Sequence, residues 1–329
     1  MMKLSIIVPV FNGEKTLKKC LDSLAGQTCA GDMEIVIVND GSTDQTGRII
    51  EEFIHANPGL AVKTVNKENG GLPQARKTGV ENAGCEYIGF VDADDWVDKD
   101  YFGQLLAKME TEHADIVCAG FSIDTEEDSQ IIRQPNRNEP LDSITALREL
   151  HDRTAVFQYA WNKIYKKQLF AKIGFPKNNV VGEDYIINVQ LLQEADRIVL
   201  LDNNGYHYIQ YASSMSHVGV DKYFEEGYWE NRSIADTVRQ KYPEIRENVS
   251  KYFVRCEIAT CTSMCKGNVF FRDIIKKAQQ NTRKALMPYL KDNNIPFIMK
   301  ISAAVLAVSF PCFRKLYALK GNKSIKVDK

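Results

Sequence analysis

Apolar runs of strand length alternate with amphipathic segments over the first 121 residues of the chain. The apolar runs are residues 4–10, 34–38, 60–65 and 86–91. The first amphipathic segment, residues 14–27, carries apolar side chains at helical spacing: Leu17, Cys20, Leu21 and Leu24. Largely apolar strands separated by helices are typical of a mostly parallel sheet that is covered on both faces. The pattern therefore predicts an α/β, Rossmann-like fold.

Capping signals place the starts of two further helices. Ser42 or Thr43 is expected to cap a helix that runs to about residue 55. Asp95 is expected to cap another helix near residues 98–112.

Polar residues and glycines follow each apolar run, at the point where the predicted strand ends. They are Asn12 and Glu14 after the first run, next to the aromatic Phe11, then Asp40 and Gly41 after the second, Asn69, Gly70, Gly71 and Arg76 after the third, and Asp92 after the fourth. Ligands of parallel sheets bind outside the carboxyl ends of the strands. One such cluster is explained by a turn or a helix cap, but four clusters at one sheet edge predict a binding site.

Three carboxylates in four positions end the fourth apolar run. In this segment Asp92 and Asp94 flank a single residue, Ala93, and can face one site. Hard divalent ions prefer oxygen ligands, and Mg²⁺ commonly binds one or two carboxylates together with substrate phosphates. The cluster therefore predicts a site for Mg²⁺ or Mn²⁺ and a diphosphate.

Four segments resemble, in the right order, the motifs of family 2 glycosyltransferases with the GT-A fold, of the bacterial surface-polysaccharide type. They read SIIVPVFNGEKTLKKCLDSLAGQT, EIVIVNDGSTDQT, NGGLPQARKTGV and YIGFVDADDW. The resemblance covers roughly residues 3–217 and is highly specific as a set. It implies an inverting hexosyl- or N-acetylhexosaminyl-transferase. Such an enzyme moves a sugar from a nucleotide sugar, usually a UDP-sugar, to a hydroxyl of a glycan or lipid-linked acceptor.

The resemblance also implies a role for each strand end. Phe11 would lie against the base, Asp40 would accept the N3–H of uracil, and Glu14 would approach the ribose. Arg76 has a fixed charge suited to the base edge or the phosphates. The residues implied in nucleotide-sugar binding are Pro9, Val10, Phe11, Asn12, Glu14, Asp40, Asn69, Arg76, Asp92 and Ala93.

The same resemblance assigns the reacting groups. Asp184 matches the catalytic base, which takes a proton from the acceptor hydroxyl, and Glu183 would orient the acceptor or Asp184. Asp94 would hold the metal ion, with His217 or His207 as a further ligand. Without the upstream motifs, Glu183 and Asp184 would read as favourable acids in the first turn of a helix.

Two rival functions remain at this point. A sugar-1-phosphate nucleotidyltransferase would need a glycine-rich phosphate loop after the first strand, and the sequence PVFNGEKT has none. A non-catalytic nucleotide-sugar-binding module would be expected to lack Asp94 or Asp184, and both are present. Both observations favour the glycosyltransferase.

The rest of the chain divides into a polar loop and a helical region. Residues 122–140 lack periodicity and are interpreted as a loop, and residues 141–215 as a continuation of the first domain. The pattern becomes helical from about residue 221. We therefore predict a GT-A domain over residues 1–220 and a helical region over residues 221–329.

The charge distribution separates the C-terminal tail from the body. The net charge is −1 overall, but residues 291–329 carry eight Lys or Arg and two Asp, a net charge of +6. Residues 301–313 are uncharged and too short to span a membrane. The tail predicts peripheral contact with an anionic membrane, through Lys315, Lys320, Lys323 and Lys326. The alternative is a helix packed on the catalytic domain.

Cysteine usage and the N-terminus bear on the compartment. The chain has eight cysteines but no CxxC motif, and the group Cys256, Cys261 and Cys265 has the wrong spacing for zinc. The N-terminus does not read as a signal peptide. We therefore expect a cytoplasmic protein with reduced thiols, in peripheral contact with the inner membrane face, and no nucleic-acid partner.

Overall fold

A computed structural model of the chain describes residues 2–125, 128–132, 139–210 and 220–319. The chain forms two compact units. The first comprises residues 1–147 and 155–212, and the second comprises residues 148–154 and 213–329.

Regular elements occupy most of both units. The strands are β1 (Leu4–Val10), β2 (Met33–Asn39), β3 (Ala61–Asn66), β4 (Tyr87–Phe90), β5 (Trp96–Val97), β6 (Ile116–Ala119), β7 (Phe121–Asp124), β8 (Ser129–Ile132), β9 (Lys163–Lys166), β10 (Ile198–Leu201) and β11 (Tyr206–Ile209). The helices are α1 (Leu17–Ala25), α2 (Thr46–Ala56), α3 (Leu72–Asn82), α4 (Tyr101–Thr111), α5 (Ser143–Asp152), α6 (Glu183–Glu194), α7 (Phe224–Lys241), α8 (Arg246–Gly267), α9 (Arg272–Lys291), α10 (Phe297–Val308) and α11 (Phe310–Leu319).

A seven-stranded sheet forms the first unit, in the order β10-β6-β9-β4-β1-β2-β3. All neighbouring strands are parallel except β9, which runs antiparallel to both β4 and β6. Every residue of β1 is buried, as expected for an interior strand of a sheet covered on both faces. The carboxyl ends of β1, β2, β3 and β4 therefore lie along one edge, where the candidate site residues follow.

The prediction of a loop over residues 122–140 is wrong for its first part. Strands β7 and β8 pair there as an antiparallel hairpin in a second sheet, in the order β5-β11-β7-β8. The side chains of residues 129–131 are all exposed, so they show no apolar alternation from which a strand could be predicted.

Both predicted helix caps are also wrong. Helix α2 begins at Thr46, and it is the Asp44 carboxylate that accepts the Thr46 N–H, at 3.0 Å. Asp95 does not cap α4, because the hydrogen bonds of its carboxylate come from Tyr206 and Ile209, which follow it by more than 110 residues.

The second unit is helical, and its last two described helices each have one buried face. Met299, Ala303 and Leu306 of α10 and Phe313 of α11 belong to its apolar core. The opposite face of α10 is exposed at Phe297 and Val308, each with 78% of its surface accessible. Over the described ranges, no helix combines the length and apolar character needed to cross a bilayer.

Candidate active site

The carboxylate of Asp40 joins the ends of β2 and β3. Its Oδ1 accepts hydrogen bonds from Lys67 Nζ at 2.5 Å and from the Gly70 N–H at 3.0 Å. Its Oδ2 accepts the Gly71 N–H at 2.8 Å. Gly71 has a φ of 83°, and a Cβ there would lie 2.8 Å from the Cβ of Asn179, so the turn requires glycine.

The loop after β1 is tied to the segment that precedes α2. Asn12 Oδ1 accepts the Thr43 N–H at 2.9 Å, and a Glu14 carboxylate oxygen accepts the Gln45 N–H at 3.2 Å. In the same loop Phe11 has 53% of its surface exposed, so its ring is open to a ligand. The loop at residues 11–14 and the segment at residues 42–45 are thus joined by hydrogen bonds and form one surface beside Asp40.

The buried guanidinium of Arg76 donates hydrogen bonds to three carboxylates. Arg76 Nη1 donates to Asp184 at 2.6 Å and to Glu183 at 3.3 Å, and Arg76 Nη2 donates to Asp92 at 2.9 Å. Only 1% of Arg76 is exposed. The contact connects α3, the end of β4 and the start of α6. The guanidinium of Arg76 faces these three carboxylates, and the nucleotide contact predicted for this residue stays a prediction.

Burial sets the electrostatics of this cluster. Burial raises the pKa of Asp184, and the negative charge of Asp92 adds to this rise. The positive charges of Arg76 and Lys163 oppose it, but the resulting pKa still lies above the usual value. The pKa of Glu183 is also raised, first by burial and then by Asp184. A carboxylate whose pKa is raised towards neutrality is a better match to a general base than a fully solvated one.

Helix α6 presents Glu183 and Asp184 in its first turn. Gly182 precedes them with a φ of 86°, a left-handed conformation that favours glycine. Asn188, one turn later, donates to the Asp184 backbone oxygen at 2.9 Å and to the Gln158 oxygen at 2.7 Å. Asn188 therefore fixes the segment at residue 158 beside the start of the helix.

Lys163 also belongs to this site, although the sequence analysis assigned it no role. It is fully buried, and its ammonium donates to the backbone oxygens of Phe157 and Tyr159 and to Asn162 Oδ1, at 2.6–2.7 Å. The Ala160 N–H in turn hydrogen-bonds to Asp184. The only signal in the sequence is a lysine inside the otherwise strand-like run WNKIY.

The aspartates after β4 have different surroundings. Asp95 is buried and accepts the Tyr206 hydroxyl at 2.7 Å, while the same hydroxyl accepts the Asp92 N–H at 3.2 Å. No side chain in the described part of the chain donates to Asp94. Burial, followed by the charge of Asp92, raises the pKa of Asp94 to about 6. Asp94 is thus a carboxylate that a bound cation would stabilise.

The two candidate histidine ligands differ. His207 stacks on Trp96 with ring centroids 3.6 Å apart, and its Nδ1 lies 2.8 Å from Asp124 and its Nε2 3.3 Å from Asp98. These carboxylates already engage both ring nitrogens. His217 lies outside the described residues.

Two groups of predicted site residues therefore form. Around the end of β2 lie Pro9, Val10, Phe11, Asn12, Glu14, Asp40 and Asn69, and around Arg76 lie Asp92, Ala93, Asp94, Glu183 and Asp184. They adjoin each other, because a Cβ placed on Gly13 would lie 4.0 Å from the Cβ of Ala93.

The protein ligands fit a metal ion only if a substrate supplies further ligands. Among the described residues, no group of three or more His, Cys, Asp or Glu is arranged to hold a metal. Arg76 already pairs with Asp92, which leaves Asp94 as the open carboxylate. This set suits Mg²⁺ or Mn²⁺ bound mainly through diphosphate oxygens.

Comparison with known families decides the class of the protein. The family model described as glycosyl transferase family 2 matches residues 5–174, which include β1 to β4 and the aspartates after β4. The chain belongs to this family. The prediction of this family from the four strand-end segments is confirmed.

Two relatives are similar over about two thirds of the chain. Glycosyltransferase GlyA of Streptococcus pneumoniae is 33% identical over 229 residues, which are 67% of this chain and 32% of GlyA. The uncharacterized glycosyltransferase EpsJ of Bacillus subtilis is 33% identical over 240 residues, 68% of this chain and 67% of EpsJ. The match thus spans about a third of GlyA.

A solved structure shows the fold. The crystal structure of Staphylococcus aureus TarS 1–349 in complex with UDP-GlcNAc matches with a TM-score of 0.68 and 22% identity, over 97% of this chain and 91% of that chain. At this identity the match speaks for the fold alone. This match confirms the prediction of an α/β, GT-A fold. The family match confirms the prediction of a glycosyltransferase.

Proposed function

We propose that this protein transfers a sugar, with inversion, from a UDP-sugar to a hydroxyl of a glycan or lipid-linked acceptor in surface-polysaccharide synthesis. The observation that carries the proposal is the placement of Asp184 in the first turn of α6, where Arg76 bridges it to Asp92. This arrangement holds a carboxylate of raised pKa beside the aspartates that follow β4.

Asp184 is the group that takes the proton in this mechanism. As the acceptor oxygen attacks the anomeric carbon, its hydroxyl proton passes to an Asp184 carboxylate oxygen, and the bond between the anomeric carbon and the diphosphate oxygen breaks. Arg76 donates to Asp184 Oδ1 and so fixes the orientation of the carboxylate. Glu183, on the same guanidinium, is proposed to orient the acceptor.

The nucleotide is proposed to lie on the other group of residues. Phe11 offers an exposed ring for the base, and Asp40 offers a carboxylate acceptor for uracil N3–H. That TarS was solved with UDP-GlcNAc supports a uridine donor here. The same surface also contains Asn12 and Glu14, and Asn69 lies next to Asp40.

Family 2 enzymes generally use a divalent metal ion. Asp94 is the proposed ligand, because it is the carboxylate of this cluster that has no cation partner among the described side chains. When bound, Mg²⁺ or Mn²⁺ neutralises charge that develops on the departing diphosphate.

The exposed face of α10 supports the proposed membrane contact. Phe297 and Val308 are 11 residues apart, close to three helical turns, so they share one face. Lys315 of α11 is exposed and adds positive charge. The opposite faces of both helices are packed in the apolar core of their unit, so packing and surface contact are compatible. Lys320, Lys323 and Lys326 lie outside the described residues.

The proposal is tested by incubating the purified full-length chain with each common nucleotide sugar and measuring the release of nucleoside diphosphate. We expect release from a UDP-sugar and not from GDP- or ADP-sugars. NMR of the product then assigns the anomeric configuration, and retention would reject Asp184 as the base of a single inverting step. A protein that releases nucleoside diphosphate from none of these donors, with candidate acceptors present, would contradict the proposal.

A further inference from the structure

Asp40 has a partner whose role goes beyond holding a turn. Lys67 follows the end of β3 and places its ammonium 2.5 Å from Asp40 Oδ1. The same ammonium donates to the Glu68 backbone oxygen at 2.6 Å, which fixes its position. A quarter of the Lys67 side chain remains exposed, against 4% of the Asp40 side chain. The pair therefore forms part of the surface that a base would meet.

The hydrogen-bonding capacity of Asp40 is nearly filled. An ionised carboxylate has about four acceptor positions, two on each oxygen. Lys67 and the Gly70 N–H occupy both positions on Oδ1, and the Gly71 N–H occupies one position on Oδ2. One acceptor position remains, on Oδ2. With so little of Asp40 exposed, a ligand can meet it only over a small area.

Base edges differ in the number of adjacent donors that they present. Uracil offers a single N–H, at N3, between two carbonyl groups. Guanine offers two adjacent donors, N1–H and the 2-amino group, which match the two oxygens of one carboxylate. A carboxylate with one acceptor position left can serve the first edge and cannot serve both donors of the second.

We propose that Lys67 determines the base specificity of this enzyme: by occupying Asp40 Oδ1, it leaves one acceptor position and so selects uracil against guanine. The inference rests on the proposed function, in which Asp40 meets the base. It assigns the choice between the bases to a residue that need not touch the nucleotide itself.

The nucleotide side of the test uses the wild-type full-length chain and calorimetry with UDP, GDP and inosine diphosphate. Hypoxanthine is a purine like guanine but lacks the 2-amino group, so its edge has one donor. We expect UDP to bind more tightly than GDP, and inosine diphosphate to bind about tenfold more tightly than GDP. GDP binding as tight as inosine diphosphate would overturn the inference.

The protein side of the test removes the ammonium. Lys67→Met should free Oδ1 and move the ratio of UDP to GDP affinity about tenfold towards GDP. Lys67→Gln, which keeps an N–H donor for Oδ1, should retain the wild-type preference. Lys63→Met, at an exposed position of β3, removes a lysine that donates to the Asn82 backbone oxygen and should leave the ratio unchanged.

The outcomes separate the two proposals. If the wild type binds UDP and releases it from a UDP-sugar, but Lys67→Met keeps the wild-type ratio, the role of Lys67 is rejected and the proposed function stands. If the wild type shows no preference for UDP over GDP, the uridine donor and the role of Lys67 both fail. If Lys67→Met binds no nucleotide, the comparison of GDP with inosine diphosphate in the wild type decides.

Discussion

Arg76 and Asp184 form an ion pair of 2.6 Å although 108 positions separate them in the chain. The pair links α3 to the first turn of α6, and the second guanidinium nitrogen extends the link to Asp92. Because Arg76 is buried, solvent screens its charge only weakly, and this charge opposes the rise in pKa that burial imposes on Asp184. Removal of the guanidinium should therefore disturb both the position and the ionisation of the proposed base.

Replacement of Arg76 by lysine tests the geometry apart from the charge. A lysine ammonium is a point charge without the planar fork, so it cannot bridge three carboxylates in the same way. We expect kcat for Arg76→Lys to fall by on the order of 10²-fold, because Asp184 loses its fixed orientation. Lys77→Met, which removes an exposed charge from the same helix, should keep wild-type kcat. A wild-type kcat in Arg76→Lys would show that the bridge is not needed for catalysis.

Asp184→Asn tests the base itself. The amide keeps the shape of the side chain and cannot take the proton, so transfer should fall by on the order of 10² or more while UDP binding is retained. The matched control is Glu194→Gln at the other end of α6, where the carboxylate pairs with Lys172 on the surface. Steady-state rates with the donor found in the screen and calorimetry with UDP measure the two effects. Near-normal turnover of Asp184→Asn would exclude it as the base.

Metal dependence is tested at Asp94. Excess chelator should abolish transfer, and added Mn²⁺ or Mg²⁺ should restore it. Asp94→Ala should weaken binding of UDP more than binding of uridine, because a metal ion acts through the diphosphate. The comparison of the two ligands by calorimetry does not depend on activity. Full activity in excess chelator would reject the metal.

The sequence predicted the position of the site better than its internal contacts. The breaks from apolar runs into Asp40 and Asp92 locate strand ends, because buried parallel strands tolerate few polar residues. The partners of Arg76 could not be predicted in this way. Its carboxylates come from elements that are distant in the chain, and no local pattern records which carboxylate turns towards it.

For Asp95 and Lys163, too, the local sequence pattern does not predict the contacts that the residue makes. The position of Asp95 after a strand suggests a helix cap, but Tyr206, a distant residue, decides its role. No local pattern shows that Lys163 is buried, because the acceptors of its ammonium include the backbone oxygens of residues 157 and 159. Long-range satisfaction of buried polar groups is a tertiary property, and sequence periodicity does not encode it.

The buried ammonium of Lys163 predicts a pH dependence of stability. Burial lowers its pKa to about 8, although Cys118 and Asp184 act in the opposite direction. Between this pKa and that of the unfolded chain, about 10.4, the unfolded state holds a proton that the folded state has lost. The unfolded state binds more protons in this window, so the contribution of Lys163 to the free energy of unfolding rises with pH.

Lys163→Met lacks this titration. We expect the difference in unfolding free energy between wild type and Lys163→Met to grow by about 2 to 3 kcal/mol from pH 8 to pH 10.5, and most steeply between pH 8.5 and pH 10. Urea titrations at steps across this window measure the difference. Lys166→Met serves as a control, because Lys166 is partly exposed and paired with Asp115. A difference that stays constant with pH would show that Lys163 keeps an ordinary pKa in the folded protein.

The exposed face of α10 makes the membrane contact testable without truncating the chain, which would remove Met299, Leu306 and Phe313 from the core. Replacing both Phe297 and Val308 by glutamine removes the apolar side chains that would enter the interface and leaves the charges unchanged.

In co-sedimentation with anionic vesicles, wild type should bind, and more weakly as salt increases, because each lysine near the surface contributes roughly 1 kcal/mol. The double variant should bind at least tenfold more weakly, since each buried apolar side chain contributes about 1.5 kcal/mol or more. Ile131→Gln, an exposed apolar position in the other unit, should bind like wild type. Wild type that stays in the supernatant at low salt would show that α10 does not bind membranes.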